Sequence, residues 1–219
     1  LKVRIYKMKR LQEELRRATL IGLGSGSTVA QFVEELAKDG AAVKRLRVVP
    51  SSRQIHLVAS KCGLKVTSSD FVTKLDLVVD GADQVDDRRR IIKGGGGALL
   101  KEKVIWEAAK SIFVIANEDK FVRSIDRPVP VEVAPSAVEL VSSKLSSLGG
   151  RPLVRLLEKG YPFITENGNM VLDVAFGVIA NADALERQIK ALTGVVEVGL
   201  FNFPDVSIYK VDGDEVEEF

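Results

Sequence analysis

Asp80, Asp83, Lys93, the run Gly94–Gly97 and Glu102 all fall between positions 80 and 102 of this chain. Glycine lets backbone N–H groups come close to an anion, and a helix that starts directly after it adds the positive end of its dipole. Lysine supplies a full positive charge, and positioned carboxylates exchange protons with a bound molecule. Such a set suits proton transfer on a small anionic ligand. Read singly, Asp80-Gly81 is an ordinary turn and four glycines an ordinary flexible loop; it is their combination in one stretch that argues for a site.

Glu102 is the sharpest candidate. Counting helical turns from Ala98 places Lys103, Glu107 and Lys110 on the solvent face, while Glu102 has Ala98, Leu99, Ile105 and Trp106 three and four residues away. Ionising a carboxylate among apolar neighbours is costly, so its pKa is expected to rise, which makes a competent base near neutral pH. The structural alternative is a Lys101–Glu102 charge arrangement at the helix start.

These residues need a frame. The apolar run Leu75 to Val79 has strand length and ends at Asp80-Gly81-Ala82. Thr19 to Gly24 reads as another strand, Gly24-Ser25-Gly26-Ser27-Thr28 as a polar loop, and Val29, Phe32, Val33, Leu36 and Ala37 as a helix stopped by Gly40. This is a second anion-binding arrangement, without the lysine of a Walker loop or a full dinucleotide fingerprint. Short strands follow at Leu46 to Val49, Leu64 to Thr67 and Ile112 to Ala116, with Ser51-Ser52 capping a helix through Ser60. Alternation of strand and helix predicts a parallel, Rossmann-like α/β sheet, whose ligands bind at the carboxyl ends of the strands. The Ser25 loop, Asp80, Asp83 and Lys120 fall at such ends.

Beyond Arg127-Pro128 the pattern becomes strand (129–133), helix (136–148), strand (152–156) and a hairpin. The hairpin joins Phe163-Ile164-Thr165 to Met170–Ala175 through a polar tip, and a helix (183–192) and strand (195–199) follow. This is a ferredoxin-like β-α-β-β-α-β unit. The expected division is an α/β catalytic domain of residues 1–128 plus 204–219, and a smaller α+β lid or oligomerisation domain of residues 129–203. A last strand, Val206 to Val211, should return to the first sheet.

Composition narrows the chemistry. The 219 residues are 46% hydrophobic and 28% charged with a net charge of +2, which suits a globular protein and gives no reason to expect nucleic acid or membrane as partner. The first eighteen residues are basic, and Leu1, Val3 and Ile5 alternate as in a strand before a helical pattern takes over; they read as a solvated face. A single histidine, His56, excludes multi-histidine metal sites and reads as a surface or packing residue. A single cysteine, Cys62, allows no intrachain disulfide, which agrees with a reducing, cytoplasmic setting.

Taken together, GLGSGST (22–28), DGADQVD (80–86) and KGGGGALLKEK (93–103) resemble the type A ribose-5-phosphate isomerases, and Asn117 to Lys120 and ITENGN (164–169) fit the same family. Gln84 stands where that family usually has glutamate, and Ser25 where threonine often stands. The resemblance implies interconversion of D-ribose 5-phosphate and D-ribulose 5-phosphate through an enediolate, without metal or organic cofactor, by a homodimer or homotetramer. Residue chemistry gives catalytic roles to Asp80, Asp83 and Lys93, while the resemblance puts the proton-transferring base on Glu102. It puts substrate contacts on Ser25, Gly26, Ser27, Thr28, Gly81, Ala82, Gly94, Gly95, Gly96 and Lys120. An amino-sugar phosphate deaminase/isomerase and a non-enzymatic sugar-phosphate sensor are the alternatives. The lone histidine and the buried-glutamate pattern speak against them.

Overall fold

The structure, a computed structural model, describes residues 3–219, so Leu1 and Lys2 of the strand-like start lie outside the described residues. The chain forms two compact units. The first takes the residues up to Ala82, Lys101–Phe121 and Phe203–Phe219; the second takes Asp83–Leu100 and Val122–Asn202.

In the first unit a seven-stranded sheet runs in the order Glu215–Glu218, Val206–Asp212, Ile112–Asn117, Leu77–Asp80, Leu20–Leu23, Arg47–Pro50, Lys65–Val66. All neighbours are parallel except the edge strand Glu215–Glu218, which sequence reading missed. Alternate residues of the inner strands (Ile21 and Leu23, Leu77 and Val79, Phe113 and Ile115) share one buried cluster with Val29, Phe32, Val33 and Leu36 of the helix Gly26–Leu36. Leu11 and Leu15 of the helix Lys9–Arg17 and Ile55 and Ala59 of the helix Arg53–Lys61 complete it. Period two on the strands and three to four on the helices aim these side chains at one layer. Ser52 caps its helix as expected, its hydroxyl accepting from Ile55 N–H at 3.3 Å.

Two local expectations are corrected in this unit. Ile5–Lys7 is a 3-10 turn and not a strand. Gly40 opens a further helix, Gly40–Arg45, because the Asp39 carboxylate caps the N–H groups of Ala41 and Ala42.

In the second unit a four-stranded antiparallel sheet runs Arg151–Val154, Met170–Ala175, Val129–Val133, Val195–Val198, with the helices Val138–Ser147 and Ala182–Lys190 between strands in the chain. That order is ferredoxin-like. Its core joins Val129, Val131 and Val133 to Leu172 and Val174 and to Val141, Leu145 and Ile189 of the helices. The expected hairpin arm at 163–165 shrinks to one bridge, Ile164 to Met170. The turn after it folds inward onto Glu132, which is fully buried and whose Oε1 accepts from Thr165 Oγ1, Asn167 Nδ2 and Asn169 Nδ2 at 2.8–3.0 Å.

The second unit also holds residues 83–100 and 122–128, which sequence reading had grouped with the parallel sheet. The reason lies in backbone pairing. Gln84–Asp86 pairs antiparallel with Ile91–Ile92, which pairs in turn with Leu200–Phe201.

Asp76, just before the central strand, ties three parts of the first unit together. Its carboxylate accepts from the Thr19 and Leu20 N–H groups at 2.8 and 3.2 Å and from Lys110 Nζ at 3.1 Å. The Thr19 N–H bond is the main cause that lowers its pKa from 3.8 to about 2. A lowered carboxylate pKa adds stability above the unfolded value and loses it as pH falls through the folded one. Asp76→Asn should therefore cost about 1–2 kcal/mol at pH 7. In urea titrations across pH, the gap between parent and variant should hold down to about pH 4 and close as pH falls toward 2. A gap that did not depend on pH would rule out this account.

Candidate active site

The candidate residues divide between the units. In the first, Glu102 lies in the helix Leu99–Glu107 and is 2% exposed. Ser25 Oγ donates to its Oε1 at 2.5 Å. Ser25 occupies the N-cap position of the helix Gly26–Leu36 but makes no capping bond with its side chain. Its hydroxyl serves Glu102 instead, and the uncapped helix end keeps a positive field beside the loop. Gly26 has φ +89°, a conformation that favours glycine, and its N–H donates to Gln54 Oε1 at 3.2 Å.

Asp80 ends the central strand with no exposure. Its Oδ1 accepts from Gly81 N–H at 2.7 Å and its Oδ2 from Trp106 Nε1 at 2.8 Å. Gly24 is the residue that makes room: a Cβ there would lie 1.7 Å from Asp80 Oδ1. A Cβ on Gly81 would stand 3.8 Å from Thr28 Cβ and 4.0 Å from the Ser25 carbonyl, so the ends of two strands present their loops side by side. Ser27 is exposed and Ala82 half-buried. Lys120 closes the 3-10 turn Glu118–Lys120 after the strand Ile112–Asn117, with Nζ 3.2 Å from Asp119.

The second unit holds the rest. Asp83 is half-buried, and its Oδ2 accepts from Gly95 N–H at 2.7 Å. The Gly97 N–H donates to the Gly94 carbonyl at 2.9 Å. These two loop donors are therefore engaged within the unit and are not free for an anion, as the glycine run alone had suggested. Lys93 is 3% exposed, its N–H donates to the Gly199 carbonyl at 2.9 Å, and its ammonium lies 5.7 Å from the centre of the Phe201 ring. Arg155 reaches the Gly94 and Gly95 carbonyls at 2.8 and 3.0 Å while pairing with Asp173. Gly97 has φ +75°, and a Cβ on it would collide with the Phe163 ring at 2.4 Å. The loop is braced and not slack.

Gln84 explains its own departure from the family pattern. Its amide nitrogen donates to Asp126 Oδ1 at 2.8 Å and its oxygen accepts from the N–H groups of Asp126 and Arg127. A glutamate would set a second carboxylate against Asp126.

The helix carrying Glu102 differs from its expected orientation. Lys103 is buried and Val104 is 45% exposed, whereas Glu107 and Lys110 are exposed as expected. Leu99, Leu100, Val104, Ile105 and Trp106 spread apolar residues round the helix, so periodicity does not define one wet side. His56 is exposed. Burial pushes the Cys62 thiol above its usual range, which leaves it a poor nucleophile. Among the described residues no group of three or more His, Cys, Asp or Glu could hold a metal ion, and no helix is long and apolar enough to cross a membrane. Sequence reasoning missed Gln54, Arg155 and the polar contact of Trp106. Only Trp106 carried a signal, an indole one helical turn from Glu102.

A family model described as ribose 5-phosphate isomerase A (phosphoriboisomerase A) matches residues 47–211. The chain is 44% identical over 200 residues to ribose-5-phosphate isomerase A of Methanosarcina acetivorans, covering 89% of this chain and 84% of that one. It is 38% identical over 209 residues to the Sphingopyxis alaskensis protein of the same name, covering 95% and 91%. Among solved structures, ribose 5-phosphate isomerase A from Methanocaldococcus jannaschii superposes with a TM-score of 0.86 at 33% identity over 95% of each chain. A D-ribose-5-phosphate isomerase in complex with phospho-erythronic acid gives 0.88 at 32% identity over 99% of each. Likeness of this extent, in sequence along most of the chain and in fold along nearly all of it, makes the chain a member of the ribose 5-phosphate isomerase A family.

Proposed function

We propose that this isomerase converts D-ribose 5-phosphate to D-ribulose 5-phosphate and back, with Glu102 as the base that moves a proton between carbon 2 and carbon 1. The observation that carries the assignment is a glutamate 2% exposed, fixed by the Ser25 hydroxyl at 2.5 Å. An aldose becomes a ketose when a base takes the proton from carbon 2, an enediolate forms, and the same proton is returned at carbon 1. One carboxylate that stays in place can serve both steps, and the Ser25 bond keeps it in place.

The remaining roles follow from the donors and acceptors each residue offers. Asp80 and Asp83 exchange protons with substrate hydroxyls, including those that open the sugar ring. Lys93 steadies the oxyanion of the enediolate. Ser27 and Thr28 hold the phosphate at the helix start with Lys120 as counter-charge, Ser25 and Gly26 shape the substrate loop, and Gly81 and Ala82 line the approach. Gly94, Gly95 and Gly96 contribute close backbone, and the Gly95 N–H aims Asp83. A cytoplasmic setting belongs to the same reading, since a sugar phosphate does not cross a bilayer unaided.

We assign the second unit to subunit contact. Leu153 on the edge strand is 72% exposed, and Leu156, Leu157, Tyr161 and Ile164 follow it with exposed side chains. So much exposed apolar surface in one short stretch suits a second copy of the chain as partner. A Leu153→Lys, Tyr161→Glu double variant should lower the mass measured by analytical ultracentrifugation. An unchanged mass would place the contact elsewhere.

Glu102→Gln keeps the shape and removes the basicity. Turnover should fall by roughly 10³–10⁴-fold, the upper part of the range for a positioned acid–base group, while phospho-erythronic acid still binds. Turnover within about tenfold of the parent would mean that another residue is the base. Lys120→Ala should raise KM more than it lowers kcat, the pattern of a lost ground-state contact. If KM stays put, Lys120 does not touch the phosphate.

A further inference from the structure

We propose that Trp106 is a positioning residue for this isomerase, holding the Asp80 carboxylate in its working orientation through the indole N–H. The inference rests on the reading above, in which Asp80 exchanges protons with substrate hydroxyls. Trp106 is 1% exposed, and its Nε1 lies 2.8 Å from Asp80 Oδ2 in a buried contact. An indole N–H only donates, as does the Gly81 N–H on Oδ1, so both oxygens are held as acceptors. Two such donors suit the role proposed above, in which Asp80 takes a proton from a substrate hydroxyl.

The geometry leaves the carboxylate little freedom. Asp80 fills the space above Gly24, where a Cβ would stand 1.7 Å from Oδ1 and 1.9 Å from Cγ. Trp106 is steadied in turn by Phe203, ring centroids 5.2 Å apart at 65°, an edge-to-face contact. Trp106 also sits four residues after Glu102 on the helix Leu99–Glu107. One rigid element thus carries the proposed base and fixes the carboxylate beside it.

The test is a double-mutant cycle, which separates action through Asp80 from simple packing. Trp106→Phe keeps an aromatic ring and removes the donor. In the parent it should lower kcat on the order of tenfold, the scale of one bond to a charged group, with KM within about threefold. In an Asp80→Asn background, already slow, it should change kcat by less than about threefold. Equal losses in both backgrounds would show that the indole acts by packing alone and would overturn this inference while leaving the proposed function intact. Full turnover in Asp80→Asn would overturn both this inference and the role given to Asp80, and Glu102→Gln still tests the base separately.

Should Trp106→Phe fail to fold, a closer isostere answers the same question. Trp106 is the only tryptophan in the chain, so growth on 3-benzothienylalanine replaces that indole alone and exchanges N–H for sulfur. A comparable fall in kcat supports the proposal, and parental kcat refutes it.

Discussion

A carboxylate with no exposure, set at the end of a central strand, is the constraint on which the first unit's site depends. Removing a charge from water is tolerable only when donors replace the lost hydration. Asp80 obtains them from the next backbone N–H and from an indole, and it obtains its space from a glycine on the neighbouring strand end. Each requirement fixes a residue elsewhere. Gly24 must lack a side chain, the helix that follows the glycine run must carry Trp106, and that same helix then brings Glu102 to Ser25. A parallel sheet supplies the layout, because Leu20–Leu23 and Leu77–Asp80 are direct neighbours and end at the same level.

The second unit handles its polar groups by a different route. Its glycine loop looks in sequence like slack chain, yet the loop's carbonyls are held by Arg155 and one N–H by Asp83. Arg155 is itself locked by Asp173, and its guanidinium lies 5.6 Å from the centre of the Phe163 ring. Glycine here serves close approach and left-handed backbone, not mobility. The turn at Thr165–Asn169 follows the same logic, with three side-chain donors gathered on Glu132.

What was legible in the sequence had short-range causes. The inner strands, the Ser52 cap and the ferredoxin-like order follow from period-two runs, capping residues and turn residues, which act over a few positions. The burial of Glu102 was legible because its apolar neighbours lie within one turn. The wet side of that helix was not, since apolar residues surround it and only tertiary packing decides between Lys103 and Val104. The opening of a helix at Gly40 hid behind a glycine that reads as a stop, although Asp39 was there to cap it. Arg155 lay beyond reach altogether. It is one of many arginines, and its tie to Gly94 spans 61 positions. The grouping of residues 83–100 depended on a pairing partner at Leu200–Phe201, equally remote.

The strand Val206–Asp212 lies inside the seven-stranded sheet, between Ile112–Asn117 and the edge strand Glu215–Glu218. Everything from Val122 to Asn202 belongs to the other unit. On a ribosome the chain emerges in order, so the parallel sheet waits with the edge of Ile112–Asn117 bare until the whole of that stretch has been made. The second unit, by contrast, has its last strand in hand before the first is complete. The larger sheet can therefore be completed only after every residue of the smaller unit has been made.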